Sequence, residues 1–252
     1  MKTLLVDLEN GYKSIGSKET IEEKFGLPLL NFNDFSSFRN FIGQLWSRKL
    51  IEREVKVGGV SVPQKSWQIV AKDGVEIDCM VIDTASEMAK KYARELKGKA
   101  EALQLKQWGK LKDTLDNFFS FTNAIPANLV VNCHSKMQED NENGVMRVMP
   151  YIEGSTKVDV GKWFDFVLYT YTKKNGNSQD YMWRTKHSDI YEHAKDRTDL
   201  LPSDMKQDFQ PVINAALEKG FSNARIMVVG SPGTGKTKSL TTLINKGETN
   251  GS

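Results

Sequence analysis

The sequence is sparing with cysteine: there are only two, Cys79 and Cys133, in 252 residues. That is too few for a disulfide scaffold. Each lies inside an apolar run, CMVID and LVVNC, and reads as a buried thiol of a reducing, cytoplasmic compartment. The three histidines have no cysteine or histidine at ligand spacing, which argues against a zinc site; His187 and His193 lie among polar residues. Seven prolines and 19 glycines show no collagen period. No apolar run approaches the roughly 18 residues that a membrane span needs. The amino-terminal MKTLLVDLENG meets an acid too soon to be a signal peptide. Charge of one sign is also lacking. The surplus is +3, from 35 basic against 32 acidic residues, which neither requires nor forbids a nucleic-acid partner. What remains, with 39% hydrophobic residues, is enough chain for one soluble, enzyme-sized domain with a real core.

The apolar runs alternate between short strands and helical spacing, which predicts an α/β fold with a mostly parallel central sheet flanked by helices. Strands are expected at Thr3–Asp7, Cys79–Asp83, Leu129–Cys133 and Arg225–Val229. Phe35, Phe38, Phe41, Ile42, Leu45 and Trp46 mark a helix over Asn33–Ile51. A long helix is expected from Glu87 to Leu103, broken at Trp108–Gly109, with another beginning at Leu111. Glu54–Lys65 reads as a loop or hairpin, and Ser135–Pro150 as a polar loop. Phe164–Thr172 and Asp180–Thr185 read as paired strands, and Ser203–Lys219 as the last helix before the final strand.

Gly230-Ser231-Pro232-Gly233-Thr234-Gly235-Lys236-Thr237 matches G-x-x-x-x-G-K-[ST], with a strand run, RIMVV, before it and a helix-like KSLTTLIN after it. Glycine reaches positive φ cheaply, so such a loop can curl its N–H groups around phosphate oxygens. Lys236 would meet the β- and γ-phosphates, Thr237 would hold Mg²⁺, and Lys238 continues the loop into the helix. A nucleoside triphosphate with Mg²⁺ is the ligand this pattern implies; ATP is preferred, with no convincing Asn-Lys-x-Asp guanine signature in the chain, and GTP stays open.

The loop stands late in the sequence, with one helix and the loop 247–252 after it. Reading 252 into 1 restores a regular order: strand, phosphate loop, helix, then the KTLLVD strand. A circular permutation of a P-loop domain is therefore expected, with 225–252 preceding 1–221, residues 225–246 flanking the strand at 3–9, and the two termini close together. Ser222-Asn223-Ala224 reads either as a tag scar or as a joint.

An NTPase needs further carboxylates. CMVID ends in Asp83, a Walker B pattern that would hold the metal with Thr237. Leu5-Val-Asp7-Leu-Glu9 places two acids at another strand end, where ligands of open parallel sheets bind. Glu9 is preferred over Asp7 as the group that activates water. His134, just after the LVVNC strand, could sense the γ-phosphate or merely cap a loop. Lys195 and Arg197 are either solvated surface charge or cations for the transferring phosphoryl group, in cis or from a neighbouring subunit.

With these residues assembled, the chain resembles RecA-type P-loop ATPases, in particular the phage-encoded RecA-like proteins associated with single-strand annealing and recombination. GSPGTGKT (230–237), LLVDLENG (4–11), CMVIDT (79–84), QWGK (107–110), VVNCHS (130–135), WFDFVLY (163–169) and AKDRTDL (194–200) carry the likeness, in the rotated order. The resemblance implies ATP hydrolysis with Glu9 as base, Asp83 as Walker B acid and His134 in a polar sensor position where many relatives have glutamine. It also implies that Lys195 and Arg197 reach ATP across the interface of a homo-oligomeric ring or filament, with single-stranded DNA as partner. Ser135–Pro150 falls where such proteins carry a DNA-contacting loop. Here it holds Glu139, Asp140 and Glu142 against Lys136 and Arg147, which is not a basic groove. Two rivals remain open: a nucleotide-binding switch or assembly module that hydrolyses little, and a P-loop small-molecule kinase, for which no arginine-rich lid is visible.

Overall fold

The computed structural model describes residues 1–139 and 144–243. In chain order they form β1 (Thr3–Asp7), α1 (Lys18–Phe25), α2 (Phe35–Leu45), β2 (Trp46–Val57), β3 (Val60–Ala71), β4 (Cys79–Asp83), α3 (Ala85–Lys97), α4 (Leu105–Asn123) and β5 (Asn128–Glu139). There follow β6 (Met146–Pro150), α5 (Thr156–Asp159), β7 (Phe166–Asn175), β8 (Ser178–Arg184), β9 (Lys195–Asp196), β10 (Asp204–Lys206), α6 (Phe209–Glu218), β11 (Arg225–Gly230) and α7 (Lys236–Ser239).

The main sheet runs β1-β4-β5-β11-β7-β8-β10, with β6 paired to β5 and β9 to β7. The five strands from β1 to β7 are mutually parallel. All residues of β1, β4 and β11 are buried, because helices cover both faces and every side chain points into packing. Leu4, Val6, Met80, Ile82, Met227 and Val229 face α2, α3 and α4. Leu5, Val81, Val130, Ile226 and Val228 face α1 and α6. Parallel register aligns the strand ends: Asp7 opposite Asp83, Asp83 opposite Asn132, and His134 opposite Gly230. One row of polar residues thus lies along the carboxyl edge of an apolar sheet.

Arg225 anchors the other end of β11. Its buried guanidinium donates to the carbonyls of Asn123 (2.5 Å), Ile125 (2.6 Å) and Ala127 (2.6 Å), which are left open where α4 ends. Burial lowers its pKa from the usual arginine value.

Several boundaries differ from those expected. α2 stops at Leu45, and from Trp46 the chain is extended: β2 and β3 form a separate hairpin turning at Gly58-Gly59, both at positive φ. The break after α3 falls at Gly98, and Trp108 and Gly109 lie inside α4, whose start is fixed by the Gln104–Gln107 capping box. Ser135–Pro150 is no loop at its two ends: β5 extends to Glu139 and pairs with β6. Asp140 and Glu142 lie outside the described residues. Asp204–Lys206 is a strand, so the last long helix begins only at Phe209. Ser222–Ala224 connects α6 to β11, with the Ala224 N–H donating to Asn128 Oδ1 at 2.8 Å.

β11 is separated from β1 by β4 and β5, so the expected flanking of the strand at 3–9 by residues 225–246 is not met within the sheet; the phosphate-loop helix packs instead against Gly11–Ser14, just after β1. The expected closeness of the termini and the loop 247–252 lie outside the described residues. Among the described residues no helix is long and apolar enough to cross a membrane.

Candidate active site

The phosphate loop leaves β11 at Gly230 and re-enters helix at Lys236. A Cβ on Gly230 would stand 1.6 Å from Thr170 Oγ1 on β7, so only glycine fits there. Gly233 and Gly235 take φ of 78° and 90°, the left-handed turns the motif requires. Thr234 Oγ1 lies 2.5 Å from Thr170 Oγ1 and donates to Ser231 O at 2.7 Å, fastening the loop internally.

Lys236 is buried, and its ammonium donates to Gly230 O (2.7 Å) and Ser231 O (3.0 Å). Burial depresses its pKa from the usual lysine value, against the attraction of Asp83 and Glu9. Thr237 Oγ1 donates to Asp83 Oδ2 at 2.9 Å, while Asn132 Nδ2 donates to Oδ1 at 3.1 Å. Burial raises the Asp83 carboxyl to about 6 despite these two donors. The sequence singled out Asp83 and Thr237, and the fold brings them together.

Glu9 and Asp7 separate by role. Asp7 is buried and accepts from the backbone N–H of Glu9 (2.9 Å) and Tyr12 (2.7 Å), shaping the turn. The Glu9 carboxylate projects into the site, where His134 Nε2 donates to it at 2.8 and 3.0 Å and Thr84 Oγ1 donates as well. Burial alone would raise the Glu9 carboxyl. The hydrogen bonds from His134 and Thr84, with the nearby Lys236 ammonium, outweigh it and hold Glu9 below the ordinary glutamate range. Among the described residues, His134 Nδ1 is buried without a partner.

These groups line a cleft of about 360 Å³ with Gly11, Tyr181, Gly233, Gly235 and Lys238. Pro232 also lines it, and Ser231 Oγ meets Ser135 Oγ at 3.1 Å. Sequence reasoning missed Thr84, Asn132 and Tyr181. Asn132 is legible afterwards, because it stands opposite Asp83 in register. Tyr181 reaches the loop from β8, its ring 2.8 Å from where a Cβ on Gly235 would lie.

Lys195 and Arg197 are not brought to this cleft. Lys195 stands opposite Val167 on β7, about three residues or 10 Å below the level of the phosphate loop. Its ammonium donates to Gly161 O at 3.0 Å, and Arg197 pairs with Asp165 at 3.0 Å.

The donor set fits Mg²⁺ bound with a nucleotide. One hydroxyl and one carboxylate leave most of an octahedron for water and phosphate oxygens. Among the described residues no cluster of three or more acidic, histidine or cysteine ligands could hold a metal alone. A glycine-built loop at the carboxyl edge of a parallel sheet, a buried lysine and a threonine–aspartate pair define a P-loop nucleoside triphosphatase. The family model described as "AAA domain" matches residues 1–198 of the 252, and the chain belongs to that family of nucleotide-binding ATPases. The matched span ends before β11 and the phosphate loop. Comparison with curated proteins and with solved structures gave no match.

Proposed function

We propose that this chain is a Mg²⁺-dependent ATP hydrolase of RecA-like type, phage-encoded, circularly permuted, and acting in DNA recombination or single-strand annealing in the cytoplasm of a bacterial host. The observation that carries the hydrolytic part is Glu9. It is ionised at neutral pH, held by Thr84 and His134, and shares one cleft with Lys236, Thr237 and Asp83. Glu9 takes a proton from water as the water oxygen bonds to the γ-phosphorus and the bond to the bridging oxygen of ADP breaks. Lys236 exchanges its two loop carbonyls for phosphate oxygens. Mg²⁺, held by Thr237 and Asp83, would neutralise phosphate charge. His134 orients the Glu9 carboxylate and lies where a changed γ-phosphate would be felt.

The permuted order is favoured by β11, the last described strand in the chain yet seated centrally between β5 and β7. The distance of Lys195 and Arg197 from their own phosphate loop favours action on a neighbour's ATP, hence a homo-oligomer.

The test is ATP turnover of wild type and Glu9→Gln, with and without single-stranded DNA, alongside a mass measurement. Turnover should fall about 10²–10⁴-fold in Glu9→Gln, the usual worth of a positioned base. Wild type should be an oligomer stimulated by DNA. Unchanged turnover in Glu9→Gln would remove Glu9 as base and favour a switch module. A DNA-indifferent monomer would remove the recombination role.

A further inference from the structure

A second concave surface lies away from the phosphate loop, where the β2–β3 arm meets α2 and α4. Arg48 stands opposite Ile69, and Leu50 opposite Trp67, so all four share one face of the hairpin. A hollow of about 490 Å³ is lined by Arg39, Arg48 and Phe121 among others, and one of about 520 Å³ continues from Arg48 and Phe121 along Trp67 and Ile69. Neither lining includes an acidic side chain. Neither Arg39 nor Arg48 has an ion pair or hydrogen bond among the described residues. Trp67 is 69% exposed.

The arm is also where the charge lies. Trp46–Ala71 holds five basic residues, Arg48, Lys49, Arg53, Lys56 and Lys65, against Glu52 and Glu54. Its surplus of +3 equals that of the whole chain, so the remainder is electrically balanced. Twelve residues per strand make the arm about 40 Å long.

We propose that this groove and arm bind single-stranded nucleic acid. Two unpaired guanidiniums in a groove without acids match successive phosphates, and an exposed indole on an apolar floor matches an unstacked base. A duplex keeps its bases stacked and offers Trp67 nothing to cover it. An acidic peptide supplies anions without a ring at each step. The proposal names the surface for the nucleic-acid partner of the proposed function and rests on that part of it alone.

The test is fluorescence anisotropy of labelled oligo-dT, titrated with the full chain at several salt concentrations. Trp67→Ala should weaken binding about tenfold or more, since stacking one base is worth about 1–3 kcal/mol, and Trp67→Phe should restore most of it. The double variant Arg39→Ala/Arg48→Ala should weaken binding and flatten the slope of log K against log salt by about 1.4, two phosphates' share on a single strand. ATP turnover without DNA should be unchanged in all three. The inference falls if these variants bind as wild type, if duplex binds as tightly as single strand, or if polyglutamate displaces the oligonucleotide at equal charge. It falls also if wild type hydrolyses ATP but ignores oligo-dT. A wild type that binds oligo-dT through Trp67 while Glu9→Gln leaves turnover intact would instead sink the hydrolytic reading and spare this one.

Discussion

The carboxyl edge of the sheet and the β2–β3 arm treat charge in opposite ways. At the edge, Lys236, Asp83 and Glu9 are wholly or largely withdrawn from water, and each is held by named partners on different elements. On the arm, Arg48 and Lys49 are exposed, and none of the described residues pairs with them. Burial makes an unpaired charge prohibitively costly, so the edge can keep its charges only in one arrangement. That rigidity suits a single small ligand of fixed shape. Exposed charges cost little and can adapt, which suits a polymer with many equivalent positions. Charge density alone therefore does not mark the catalytic region; partnered, desolvated charge does.

Breaking the edge should have the largest effects. Lys236→Ala should abolish measurable turnover, a loss of about 10²–10³-fold or more by analogy with removing one fixed transition-state donor, while circular dichroism stays native. The variant also removes the positive charge beside Asp83 and Glu9, so its stability is read together with its turnover. Gly230→Ala comes next and acts on folding. Its Cβ would overlap Thr170, which is buried and bonded to Thr234. A loss of about 2–3 kcal/mol is expected in urea denaturation, as for overpacked cores. Adding Thr170→Ala should recover part of that loss; strict additivity of the two would show that they do not clash.

Asp83→Asn is smaller and has a sign that depends on pH. The folded-state pKa of Asp83 is raised to about 6, above its usual value of 3.8. The folded state therefore binds the proton more tightly than the unfolded chain does. The stability this gives is fully present below pH 3.8 and is lost as pH rises through about 6. In nucleotide-free protein, Asp83→Asn should be more stable than wild type at pH 8 by about 1–3 kcal/mol, since each tenfold change in proton affinity is worth about 1.4 kcal/mol, and the gain should vanish near pH 4. Equal stabilities at pH 8 would mean that Asp83 is better solvated than its burial implies. Mg²⁺-dependent turnover should be lost in the same variant.

The same contrast explains what could be read from sequence. RIMVV, CMVID, TLLVD and LVVNC announce themselves because strands buried on both faces are continuous apolar runs, and the acids that end them are conspicuous. Glu9, Asp83, His134 and Lys236 are therefore visible, and the fold places them around one cleft. Thr84, Asn132 and Tyr181 are not, since nothing in a local pattern says which polar residue a distant strand will set against which. The arm is legible only in fragments. Its strands are wet on both faces, so no side of the hairpin imposes a two-residue alternation, and KLIEREVKV reads as the end of a helix running into a loop or hairpin, of which only the hairpin is found. The same holds for the far end of β5, where Lys136 to Glu139 face solvent and read as part of the expected loop. Lys195 and Arg197 are conspicuous in composition but not in place. Their composition suits phosphate, but β9 pairing with the start of β7 sets them at the far level of the sheet.

The smallest expected effect concerns the arm's tip. Val57 and Val60 face each other across the Gly58-Gly59 turn and are 63% and 64% exposed. Val57→Thr with Val60→Thr keeps the β-branched shape and removes two methyl groups that are already in water. The change in unfolding free energy should stay within about 0.5 kcal/mol, as for surface sites without a special contact. Hydrogen exchange gives the finer measurement. A two-stranded hairpin without a third strand is marginal in water, so amides beyond Ile51 should exchange by local opening, while those of β4 and β11 wait for global unfolding. If the double variant lost about 2 kcal/mol or more, or the tip amides were as slow as those of β11, the arm would be tied to the cohesion of the sheet. Its exposed valines and unpaired cations would then be structural, and the contrast between a rigid edge and an adaptable arm would fail.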